Sequence, residues 1–299
     1  MDEQPITQFG VPNVPLCDPA MARVTIIPAP LEYTTCYMKG TQRGPQAILD
    51  ASSQMEFYDE ELDCYPIEIG VYTRPILDYR DMDHAAALQA TGEAVREVLR
   101  SGQLPLTLGG EHSLSAPVIA AVQEQYPDVT VIHIDAHCDL YDEYQNTPFS
   151  HACVGRRVVD MGIPLLEIGI RSFGLEEAKF MRTKPDVAIV WGHQIAKDMA
   201  CIPWERLGKH TYVTIDLDAI NPGEMPAVGT PEPGGLSWYQ LLDLFREICC
   251  RTTVVGIDVV ELCPMISQTY ADFLAAKLVY KLIGYRFYLG HGSDELDSF

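Results

Sequence analysis

Eight short, mostly apolar runs recur along the chain, and stretches with helical spacing fit between most of them. The runs fall at residues 23–28, 67–71, 104–108, 129–135, 165–170, 187–190, 212–215 and 254–259. Runs this short are strand-sized, and strands that are apolar on both faces belong to a parallel sheet covered on both sides. Helical patterns fit residues 47–52, 83–99, 113–122, 237–250 and 268–283. In the last of these Leu274, Leu278 and Leu282 recur every fourth residue, which is one helix face. Strand–helix alternation of this kind predicts an α/β architecture built from βαβ units. With no internal repeat or linker, residues 1–299 read as a single domain, residues 1–22 forming an N-terminal arm rich in proline.

Composition narrows the function classes. A formal charge of −21 argues against nucleic acid and anionic membrane surfaces as partners and is compatible with a cationic ligand. The apolar runs are too short and interrupted to span a bilayer. Met1-Asp2-Glu3-Gln4-Pro5 lacks the basic and apolar regions of a secretory signal. Nine cysteines without a CxxC pair read as reduced thiols, so the expected location is cytoplasmic.

The chemistry gathers at strand ends. The run 129–134 leads into Asp135-Ala136-His137-Cys138-Asp139, whose three metal-competent side chains stand two residues apart and share a face in extended backbone. Asp216 and Asp218 repeat that spacing after another apolar run, and His112 follows residues 104–108 through Gly109-Gly110-Glu111. Ligands of open α/β sheets bind beyond the carboxyl ends of the strands, where all three groups lie. Two imidazoles and four carboxylates exceed one tetrahedral site and suit two divalent cations that share bridging carboxylates. Oxygen-rich ligation favours Mn²⁺ over Zn²⁺. Cys138 points away from the ligands by parity, and His133 is assigned to the core or to a supporting position rather than to the ligand set.

These motifs, with Ser150-His151-Ala152-Cys153 and Asp258-Val259-Val260-Glu261-Leu262-Cys263-Pro264, resemble the ureohydrolase family of arginases and agmatinases. Pro28-Ala29-Pro30 and the Gly40–Pro45 loop extend the likeness over nearly the whole chain. The resemblance implies a three-layer α/β/α fold around a central, mostly parallel eight-stranded sheet. It also implies two Mn²⁺ per chain, a homo-oligomer of three or six copies, and hydrolysis of a guanidino group by metal-bound hydroxide. Carried over by position, His112, Asp139 and Asp216 would bind one ion and His137 and Asp218 the other, with Asp135 and Asp216 bridging. Asp139 would also orient the nucleophile, Glu261 would hold the guanidinium, and His151 would pass a proton to the departing amine. Glu111 stands where many relatives have Asp and is expected to support the ligands from behind.

The loop from Leu140 to Ser150 is expected to line the far end of the substrate. Asp142 and Glu143 there would repel a carboxylate and accept an ammonium, which favours agmatine, giving putrescine and urea, over arginine. The alternatives are arginase, guanidinobutyrase or formiminoglutamase activity. From other classes come a single-zinc deacetylase of related fold and an assembly subunit without activity.

Overall fold

The computed structural model describes residues 8–10 and 17–290. Its strands are β1 (Val24–Ala29), β2 (Val71–Thr73), β3 (Leu104–Gly109), β4 (Val129–Ile134), β5 (Leu165–Ile170), β6 (Val187–Trp191), β7 (His210–Asp216) and β8 (Thr253–Val260). They form one sheet in the order β2-β1-β3-β8-β7-β4-β5-β6, and every neighbouring pair is parallel. The helices are α1 (Gly44–Ser52), α2 (His84–Arg100), α3 (Ser115–Gln125), α4 (Val154–Asp160), α5 (Leu175–Met181), α6 (Gly192–Ile195), α7 (Trp238–Arg251) and α8 (Thr269–Tyr288).

Strand alternation sends side chains to two separate cores. Ile26, Ile132 and Ile134 share one with residues of α1, α7 and α8, whereas Ile27, Val129 and Val131 meet α2, α3 and α4 on the other face. This is the expected three-layer arrangement, and the sheet is parallel throughout. Local chemistry sets the helix starts: Asp83 caps α2 by accepting from Ala86 N–H, and Ser237 caps α7 by accepting from Gln240 N–H. Adjacent Cys249 and Cys250 both lie on α7 as free thiols, the first buried and the second exposed. No helix among the described residues is long and apolar enough to cross a membrane.

The second strand departs from expectation. Pro66–Ile69 is a 3₁₀ turn, and the strand begins only at Val71. Pro66 fixes φ at the start of that turn, and Gly70, at φ 89°, redirects the chain before pairing begins. Part of the N-terminal arm then covers the sheet edge. Gln8 exchanges two hydrogen bonds with the Thr73 backbone, Phe9 N–H donates to Thr73 Oγ1, and Phe9 is buried. Residues 1–7 and 11–16 of the expected arm lie outside the described residues.

The four central strands, β3, β8, β7 and β4, carry the candidate residues at their carboxyl ends. Where β3 ends, Gly110 N–H donates to Ala29 O and Glu111 N–H to Leu31 O, strapping this turn to the end of β1 and the residues just after it. A Cβ at Gly110 would lie 2.0 Å from the Leu31 carbonyl oxygen, so the close approach requires glycine. Gly110→Ala should therefore cost on the order of 1–3 kcal/mol in denaturant unfolding, as overpacking does. An unchanged unfolding midpoint would contradict so tight an approach.

Candidate active site

His112 opens a 3₁₀ turn directly after β3, Asp135 follows β4, Asp216 closes β7, Asp218 sits in the 3₁₀ turn Leu217–Ala219, and Glu261 follows β8. The structure brings all six expected ligands together. Nδ1 of His112 lies 3.1 Å from Asp135 Oδ2, 3.3 Å from Asp216 Oδ2 and 3.4 Å from Asp139 Oδ2. Nδ1 of His137 lies 3.4 Å from Asp135 Oδ1 and 3.1 Å from Asp218 Oδ2. Asp135 thus turns one oxygen to each group, and two metal-competent clusters share it. Asp216 faces His112 through Oδ2, while its Oδ1 accepts from Asp218 N–H at 2.8 Å.

The donor set fits divalent cations. His112 Nε2–H donates at 2.9 Å to Thr214 Oγ1, whose own hydroxyl donates to the buried Asp258 at 2.6 Å. That chain leaves the Nδ1 lone pair of His112 free, and this buried atom has no hydrogen-bond partner. A lone pair aimed at three carboxylate oxygens is repulsive unless a cation, or a proton in its place, stands between them. Burial pulls the His112 ring down, but Asp135 and Asp216 outweigh it and carry its pKa well above the ordinary value. Burial, then the nearby Asp135, pushes Asp139 up to about 8. Burial followed by neighbouring carboxylates likewise raises Asp216, Asp218 and Glu261. Asp135 goes the other way: burial opposes ionisation, but His133, His112 and His137 hold it ionised.

Asp139 and Glu261 adopt left-handed backbone, with φ of 51° and 67°. Such conformations cost energy in residues other than glycine and concentrate at functional sites. At Asp139 the reversal turns the chain out of line with β4.

His133 takes the supporting position expected of it and is buried. Residues 133 and 135 have the same parity, and His133 Nε2 donates to Asp135 Oδ2 at 2.8 Å. It lies in the same cluster as His112, Asp135 and Asp139. Cys138 is fully buried and faces away, as expected. Glu111 is also fully buried and binds the Tyr33–Thr34 backbone and Ser113 rather than lining the cluster.

Above the cluster lies a cavity of about 360 Å³, within the range of small-molecule sites. His137, Asp139, His151 and Glu261 are among its lining residues. Glu261 Oε1 accepts from His112 N–H at 2.7 Å, and a Cβ added at Gly229 would stand 3.3 Å from its Oε2. Burial lowers the His151 pKa.

Asp142 and Glu143 do not reach this cavity. Asp142 is drawn outward by Arg156 at 3.2 Å and Arg157 at 3.0 Å, and Glu143 is exposed. Two arginines on α4 take the charge that sequence reading gave to the substrate. The lining includes instead Tyr37, Tyr141, Tyr144 and Phe173, with the buried carboxylate of Glu177. Glu177 went unnoticed because its local pattern is that of a helix start: its side chain accepts from Gly174 N–H at 2.6 Å. It also accepts from Leu140 N–H at 2.9 Å, which ties α5 to the loop after Asp139.

The sequence profile of the Arginase family matches residues 22–284. An N(1)-aminopropylagmatine ureohydrolase of Synechocystis is 38% identical over 89% of this chain and 90% of its own length. An agmatinase of Bacillus anthracis is 32% identical over 88% of this chain and 91% of its own. The crystal structure of agmatine ureohydrolase from Thermoplasma volcanium superposes with a TM-score of 0.81 at 28% identity, covering 90% of this chain and 91% of that one.

The proton inventory has a measurable consequence. Asp139 at about 8 and His133 at about 10 both exceed their unfolded values of roughly 3.9 and 6.5. The folded metal-free protein therefore binds more protons between pH 7 and pH 9 than the unfolded chain, so its stability falls as pH rises there. The melting temperature of metal-free protein should drop across that window, and Mn²⁺ should raise it most at the alkaline end. A metal-free melting temperature that climbs across the window, or one that Mn²⁺ leaves unmoved, would contradict this reading.

Proposed function

The chain belongs to the arginase family, and from that premise we propose that it hydrolyses the guanidino group of agmatine to putrescine and urea. The observation that carries the reading is the shared position of Asp135 between two ligand clusters, beside a cavity that Glu261 enters. His112, Asp139 and Asp216 would hold one Mn²⁺ and His137 and Asp218 the other, with Asp135 common to both. When bound, two such cations supply Lewis acidity and lower the pKa of water toward neutrality.

The remaining roles fall to the chain itself. A guanidinium is resonance-stabilised and cationic, so it must be held firmly and its departing amine must be protonated. Glu261 spends one oxygen on His112 N–H, and the other faces the substrate, where it pairs with guanidinium N–H groups and fixes their carbon. Gly229 keeps that space open. His151, with its pKa lowered by burial, is neutral at pH 7; it takes a proton from water and hands it to the leaving nitrogen. Tyr37, Tyr141, Tyr144 and Phe173 give the polymethylene tail an apolar wall, and Glu177 offers a carboxylate to a distal ammonium.

A second reading, N(1)-aminopropylagmatine as substrate, is favoured by one specific observation. The Synechocystis relative is 38% identical and the Bacillus anthracis agmatinase 32%. A homo-oligomer of three or six copies belongs to this proposal as well: Ile266, Tyr270 and Phe273 are exposed apolar residues in and just before α8 that a neighbouring copy would cover.

A urea-release screen with Mn²⁺ over agmatine, N(1)-aminopropylagmatine, arginine, 4-guanidinobutyrate and formiminoglutamate separates these readings. An aminoalkylguanidine should lead, and a preference for arginine would overturn the assignment of the aromatic lining and Glu177. Asp135→Asn should cost more than the roughly 10–100-fold typical of residues behind the ligands. Activity within twofold of wild type would refute its shared role.

A further inference from the structure

We propose that Thr34 is a positioning residue whose hydroxyl, oriented by Glu111, fixes which ring nitrogen of His151 carries the proton. Glu111 Oε2 accepts from Tyr33 N–H and Thr34 N–H, each at 2.6 Å. Its Oε1 accepts from the hydroxyls of Thr34 at 2.7 Å and Ser113 at 2.5 Å. His84 stands 3.7 Å from the same oxygen and stacks on Tyr33. The carboxylate thus binds the segment after β1 by backbone and side chain together.

A hydroxyl has one hydrogen to give and two lone pairs to offer. Thr34 gives its hydrogen to Glu111, because a carboxylate oxygen accepts. Its two remaining contacts, His151 N at 3.0 Å and His151 Nδ1 at 3.1 Å, must then both donate to it. The hydroxyl is fully used, and Nδ1 carries the hydrogen. Ser150 Oγ, 3.4 Å from Nδ1, is the more distant neighbour and already accepts from Ala152 N–H. The basic lone pair is left on Nε2, beside Cys36 Sγ at 3.8 Å, where both residues line the cavity. An imidazole in the other tautomer would present N–H to the cavity and would have no lone pair there to receive a proton.

The catalytic consequence rests on the reading of His151 as proton carrier given above. In that reading Nε2 binds the proton released by water, and the same proton passes to the amine nitrogen as the carbon–nitrogen bond breaks. The ring returns to the Nδ1–H form without rotating.

The test reads the tautomer directly. Nitrogen NMR of histidine-labelled protein loaded with diamagnetic Zn²⁺, with His151→Gln to identify the signal, should show Nδ1 protonated and Nε2 bare in wild type. Thr34→Val, which keeps the shape and removes the acceptor, should abolish that preference, and Thr34→Ser should retain it. In Mn²⁺-loaded protein kcat for urea release should fall at least about 10-fold in Thr34→Val, a part of the roughly 10²–10⁴-fold that general acid–base catalysis supplies, with KM within about twofold. Thr34→Ser should stay close to wild type. A bare Nδ1 in wild type, or an unchanged tautomer and kcat in Thr34→Val, would overturn the proposal. If wild type releases no urea from any compound in the screen, the functional reading falls, while the tautomer measurement still decides the relay.

Discussion

Mutual repulsion among buried carboxylates is the constraint on which this structure turns. Asp135, Asp139, Asp216 and Asp218 are all nearly inaccessible and crowd two imidazoles. Two like charges about 4 Å apart repel by about 4 kcal/mol at an effective dielectric constant near 20. Backbone N–H groups offset part of this: His137 N–H donates to Asp135 and Asp218 N–H donates to Asp216. The metal-free cluster answers the rest by holding protons, as the raised Asp139, Asp216 and Asp218 record. Divalent cations meet the same demand more fully, because each neutralises two charges and occupies the space between the oxygens.

The fold makes such crowding sustainable by placing the donors at strand ends and in the short turns and loop that directly follow them. Connection of β3 to β4 through α3 passes over two strand positions, which β8 and β7 fill. Four strand ends therefore meet at one place, each delivering one piece of the site. Glycine closes the arrangement at Gly110, whose backbone sits against Leu31 and holds the segment bearing Thr34 beside His151. Left-handed backbone at Asp139 and Glu261 is the local cost of turning carboxylates inward at the ends of β4 and β8. Support extends one layer further, from Asp258 through Thr214 to His112 and from Glu111 through Thr34 to His151.

Much of this was legible in the sequence because it follows from short-range periodicity. Apolar runs placed seven strands within one or two residues, and two-residue spacing put Asp135, His137, Asp216 and Asp218 at one edge. The second strand slipped because Ile67 and Ile69 look like strand residues while Pro66 and Gly70 impose a turn. His133 keeps the supporting position read for it, buried and hydrogen-bonded to Asp135. Asp142 and Glu143 failed for a different reason: their charge was visible, but their arginine partners lie on α4, beyond any local pattern. Glu177 and Thr34 could not be found locally either, since each acquires its meaning from a contact across the fold.

Anomalous diffraction from Mn²⁺-loaded crystals, recorded at the manganese edge, tests the central claim most directly. Two peaks per chain are expected, both touching Asp135, one beside His112 and the other beside His137. A single peak, or two peaks of which only one contacts Asp135, would contradict the shared carboxylate on which the account rests.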